Sequence, residues 1–249
     1  MELGLPLDPT FSTTRSEIHP KVSWTGILLY VCSIWSNYLI GYFAVYRPLK
    51  WLTAPDVTHG AVRVLGDLVT LGWFAFAFAC LPWHRWEEGT FIGTKHRRGL
   101  VCYVVWCLGI MATLIVYGAL GQIPAFETSF GSNDPVPGKR LVSVMAIVLM
   151  ALVVLYWIIK LRYLTWYRRQ LFLKIFCPVV AIFIISYVVC SSDEVCEYHL
   201  HHWWFGFVFV LISTTMLDNR FDYLMQGVFW AFIIESLFNY GFVFRYFFV

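Results

Sequence analysis

The chain has 249 residues, 59% hydrophobic and 13% charged, with a mean hydropathy of +0.68. Soluble domains carry about 25% charged and 45–50% apolar residues, so this composition argues against an ordinary soluble fold and for a membrane protein. A net charge of +3, without a basic patch interleaved with aromatics, argues against nucleic acid as a partner.

A spanning helix needs about 20 mainly apolar residues. Seven segments approach that length: 24–47, 62–83, 99–121, 141–160, 171–190, 202–217 and 223–241. They predict an all-α fold, a polytopic transmembrane bundle of about seven spans that forms a single membrane domain over 1–249. The first segment follows a mixed polar lead, contains Trp24 and Trp35, and has no small-residue cleavage site. It reads as a first span and not as a removed signal peptide. The second carries Asp67, with Arg63 one turn earlier and His59 just before the span. Asp67 either pairs with Arg63 or has a role of its own.

The link from Gln122 to Arg140 holds Pro124, Gly131, Pro135, Pro137 and Gly138 and reads as a loop. Pro178 is expected to kink the fifth span, since neighbouring helices can re-satisfy the freed carbonyl. Cys190 and Cys196 flank an acidic loop with Asp193, Glu194 and Glu197. They form a disulfide if that loop faces an oxidising compartment, and are otherwise two free thiols. Asp218 to Asp222 is a short polar turn that makes the sixth and seventh spans an antiparallel hairpin. Gly206, Gly227 and Ala231 suggest close helix packing, and Gln226 is expected at the membrane interface.

With seven spans, the N-terminus and the second, fourth and sixth loops share a side that carries twelve Lys and Arg residues against six on the other. This bias places the N-terminus on the cytosolic or matrix side of an integral, multi-pass protein. Membrane lipids are then expected partners. Lys95 to Arg98 and Arg168-Arg169 could bind anionic headgroups, although ordinary positive-inside topology also accounts for them.

The richest chemistry lies in Tyr198-His199-Leu200-His201-His202-Trp203-Trp204, where three of the seven histidines open the sixth segment. An acid at the centre of a span costs roughly 2.5–3.5 kcal/mol on insertion scales. Asp67 and Glu235 each lie about five residues in from the same face, hence roughly 7–8 Å deep. The histidines enter from that face too. His199 and His202 share one helix face by their spacing, and Glu197 and His201 another. A set of His199, His202 and Glu235, with His201, Asp67 and His59 as further partners, suits zinc or iron. The same groups suit proton or small-polar-ligand handling, since imidazole titrates near neutral pH. An interfacial His-Trp cluster could instead only anchor the helix.

The run from Tyr198 to Phe242 also carries His199, His201, His202 and Trp203, then Gln226-Gly227, then Tyr240-Gly241. In this it resembles the C-terminal membrane region of fungal LCCL-domain-containing membrane proteins. The resemblance covers under a fifth of the chain and implies a shared helical-hairpin module without an activity. Ile212-Ser213-Thr214-Thr215 stands where that family has a Pro-Gly-Thr segment, and no LCCL domain is present. Three functions remain open: a metal-, proton- or ligand-handling site, a non-catalytic accessory subunit held among other membrane subunits, and a small transporter.

Overall fold

The computed structural model describes residues 24–49, 61–80, 96–123, 139–164, 166–191, 202–217 and 219–240. These are all-helical, without a strand among them. The helices are α1 (Trp24–Leu49), α2 (Ala61–Ala79), α3 (His96–Leu120), α4 (Lys139–Leu161), α5 (Trp166–Ser191), α6 (His202–Thr214) and α7 (Arg220–Tyr240). Each occupies one of the apolar segments read from the sequence. Among the described residues, Trp24–Leu49, Val62–Ala79, Leu100–Leu120 and Arg220–Phe238 are long and apolar enough to cross a membrane. At 13 residues, α6 is shorter than a full crossing requires. α5 runs through Pro178 as one helix.

α7 is the hub. In its apolar window 72% of the residues are buried, against 22–44% in the other three long helices. In lipid there is little hydrophobic drive between helices, so close association rests on small residues and tight packing. Glycines provide this on two sides of α7. A Cβ on Gly109 of α3 would sit 2.7 Å from the Leu224 carbonyl oxygen, and one on Gly227 would run into the Trp106 carbonyl. A Cβ on Gly206 of α6 would sit 2.7 Å from the Phe229 carbonyl oxygen. Gly227 therefore serves the α3 contact, while Gly206 alone opens the α6 contact.

Aromatic rings fill the space the glycines leave. Tyr30 stacks on Trp106 at 5.6 Å and accepts a 2.7 Å hydrogen bond from Trp230 Nε1, which joins α1, α3 and α7. Trp157 of α4 lies 5.2 Å from Phe209 and 5.9 Å from Phe229. The buried face of α4 is Val153, Trp157 and Lys160, spaced four and three residues apart as one helix face requires. α4 thus meets the α6–α7 hairpin through long side chains, whereas α3 meets α7 backbone to backbone.

α1 changes its winding at Gly41–Tyr46, a π-helical turn. An α-helical stripe at four-residue spacing drifts about 40° per step. The wider π turn offsets that drift. Tyr38, Tyr42 and Tyr46 all reach Phe238 as a result, at 5.1, 5.8 and 4.6 Å between ring centroids. Gly41 permits the approach, because its Cβ position lies 3.0 Å from Leu114 Cδ1 and 3.2 Å from Phe238.

Candidate functional site

Polar groups gather at both ends of α7. At the end where α1, α3 and α7 finish and α2 begins, Asp67 and Glu235 are both buried. Tyr38 donates a 2.7 Å hydrogen bond to Asp67 Oδ2. Arg63 does not form an ion pair with Asp67. Its Nη2 donates instead to the Leu237 carbonyl at 3.1 Å, capping the last turn of α7, where helix carbonyls lack an internal partner. Tyr46 donates to the Leu114 carbonyl at 3.1 Å, and its hydroxyl lies within electrostatic reach of the Glu235 carboxyl. The two acids therefore sit at one end of the bundle, Asp67 hydrogen-bonded to Tyr38 and Glu235 beside Tyr46.

Helical geometry fixes which way Glu235 leaves α7. Ile233 packs on Gly206 of α6. Glu235 follows two residues later, about 200° round the helix. It therefore points away from α6, toward α1 and α3. Ser236 is the polar residue of α7 nearest the α6 side at that level; it is 1% exposed and its hydroxyl has no hydrogen-bond partner. His59, His199 and His201 lie outside the described residues, as do Cys196 and the side chains of His202 and Cys190. α6 packs on a different side of α7 from the one that Glu235 faces. Among the described residues no group of three or more His, Cys, Asp or Glu is close enough to hold a metal ion.

The opposite end holds a polar cluster centred on Asp222, whose carboxylate does more than belong to a turn. Asn219 and Asp222 cap α7 reciprocally. The Asn219 amide N–H donates to Asp222 Oδ2 at 2.9 Å, and the Asp222 N–H donates to Asn219 Oδ1 at 3.1 Å. This is a capping box, and its Asn-x-x-Asp spacing is the signal that could have located it. The same carboxylate forms a buried ion pair with Lys160 of α4 and accepts a 2.7 Å hydrogen bond from Tyr156. Lys160 also donates to the Met216 carbonyl, just past the end of α6.

One turn further along α7, Gln226 is fully buried, not interfacial, and neither end of its amide has a hydrogen-bond partner among the described residues. It lies seven residues before Ile233, and Ser213 lies seven after Gly206, so the two face each other across the antiparallel hairpin. The Ser213 hydroxyl donates to its own helix, to Val210 O at 2.9 Å, which leaves the amide without that donor.

No family model, curated protein or solved structure matches the chain. The class defined by fold and composition is therefore the coarse one: an all-helical protein with several helices suited to a membrane.

Proposed function

We propose that the chain is a multi-pass membrane protein of about seven spans that handles a proton or a small cationic or polar ligand at Glu235, near one membrane face. The carrying observation is the burial of Glu235 and Asp67 at one end of an apolar bundle, beside a tyrosine stack on a π-wound helix turn. Intramembrane acids are costly, face the interior and mark proton and ion pathways, and π turns are frequent at functional sites. In this reading Asp67 is held by Tyr38 as a fixed neighbour, and Glu235 is the working group. Because Glu235 points away from α6, His199 and His202, with His201 and His59 expected near the same face, enter this reading as a neighbouring ligand set if the species is zinc or iron, and not as direct partners of Glu235. The meeting of the α4 end with the α6–α7 turn fits alternating spans, and the excess of Lys and Arg on one set of loops favours the N-terminus on the cytosolic or matrix side.

The test uses detergent-purified protein. Infrared difference spectra across a pH step should contain a carboxyl band that Glu235→Gln removes, and zinc or iron content near one per chain that falls in Glu235→Gln would identify a metal as the ligand there, while a fall in His202→Ala alone would assign the metal to the histidines. An unchanged spectrum in Glu235→Gln, together with no metal in any preparation, overturns the proposal.

A second reading is a non-catalytic accessory subunit. It is favoured by the outward faces of α4 and α5, where Leu149, Leu152, Ile184 and Ile185 are each more than half exposed. Co-purification with a fixed set of membrane subunits, and instability without them, is its signature. The likeness of the α6–α7 region to the fungal LCCL-domain membrane proteins fits either reading, since it brings no activity.

A further inference from the structure

We propose that the corner made by the α4–α5 turn and the start of α7 binds the headgroup of an anionic phospholipid. The inference rests on the membrane reading but not on Glu235.

The corner is rigid. Arg169 donates from Nε to the Leu164 carbonyl at 2.9 Å and from Nη2 to the Arg162 carbonyl at 2.6 Å. It thereby satisfies carbonyls that the end of α4 leaves open. The Arg168-Arg169 pair noted in the sequence is thus not the headgroup ligand as it stands, because one of its two guanidinium groups holds the turn. The charge of Lys160 is matched by Asp222 in the buried pair.

Two cations remain. Arg162 and Arg220 are both exposed, and neither has an acidic partner among the described residues. Each lies two residues from a member of the Lys160–Asp222 pair, so that pair brings them to one corner. Tyr156 and Phe221, 5.1 Å apart between ring centroids, close the same contact. Tyr163 is 83% and Trp166 72% exposed on this turn, beside ends of α4, α5 and α7. Amphipathic aromatics of that kind sit at headgroup level.

Two exposed arginines at one corner with exposed aromatics match a phosphate that carries net negative charge. Arginine offers planar, bidentate donors to phosphate oxygens and is weakly hydrated. A zwitterionic headgroup brings its own ammonium and gains less. Basic residues at the surface each contribute roughly a fivefold preference for anionic lipid.

Native mass spectrometry in neutral detergent, with dioleoylphosphatidylglycerol or dioleoylphosphatidylcholine titrated in, tests the proposal. The wild-type chain should bind phosphatidylglycerol more than tenfold tighter than phosphatidylcholine. Arg162→Gln/Arg220→Gln should lose most of that preference, and Arg162→Lys/Arg220→Lys should keep a good part of it. Both positions are exposed, and circular dichroism and the melting temperature without added lipid check that the variants fold. Equal affinity for the two lipids, or an unchanged preference in the Gln variant, overturns the proposal. Competition by soluble glycerol phosphate at comparable concentration also overturns it, by assigning the site to a free anion.

Discussion

Lys160 and Asp222 form a buried ion pair that ties α4 to the first turn of α7, while Asp222 at the same time caps that turn through Asn219. One carboxylate thus fixes the fold of a helix end and the docking of a second helix. Removing a single partner of such a pair leaves an uncompensated buried charge.

Lys160→Met alone should therefore destabilise the protein by about 3–5 kcal/mol, and Asp222→Asn alone by a similar amount. The double variant Lys160→Met/Asp222→Asn should recover a large part of the loss, because no unpaired charge remains. Thermal or denaturant unfolding in detergent measures the cycle. Additive losses would show that the two residues do not act as a pair.

Tyr38→Phe removes the hydroxyl that donates to Asp67 and leaves the acid buried without that donor. The expected cost is about 1–3 kcal/mol, set by the desolvation of the orphaned carboxylate. Tyr38→Phe/Asp67→Asn should be less destabilised than the sum of the single variants. Melting temperatures of the four proteins decide this.

Gly206→Leu should separate α6 from α7, since even a Cβ there would lie 2.7 Å from Ile233 Cγ1 and from the Phe229 carbonyl oxygen. Overpacking of this kind costs about 1–3 kcal/mol or more. Gly66→Leu is the control, because nothing lies within 4 Å of its Cβ position. The Gly206 variant should lose helicity or melt early while the Gly66 variant does not.

Gln226→Leu should be neutral or stabilising, since a buried amide without partners contributes a desolvation penalty of about 1–3 kcal/mol and no bond. A clear loss of stability in that variant would mean that the amide has a partner in the membrane.

The helices were legible in the sequence because length and hydropathy act locally. The α6–α7 hairpin was legible because Asp218 to Asp222 interrupts a long apolar stretch. Relationships between helices were not. Lys160 looked like a loop cation of the positive side, and nothing near it in the chain shows a partner 62 residues away. Arg63 and Asp67 sit one turn apart, which suggests an ion pair. Yet the end of α7 offers Arg63 an open carbonyl and Tyr38 offers Asp67 a hydroxyl, so both reach across the bundle. Gln226 looked interfacial from its place near the helix start, but the antiparallel packing of α6 covers it. A helix that is apolar on all sides carries little periodic signal of which face is buried. The shared end of Asp67 and Glu235 followed from counting spans; the direction in which Glu235 leaves α7 required knowing where α6 lies.

The ion pair also has a history during synthesis. Lys160 leaves the ribosome 62 residues before Asp222, roughly 3–12 s earlier at ordinary elongation rates. Through that interval the ammonium lacks its Asp222 partner, and its long stem lets it stay at the bilayer surface. The closing hairpin carries its own cap and its own glycine contact, so it is able to fold as it emerges. Nascent α4 would then remain loosely attached at first, until α6 and α7 draw it in.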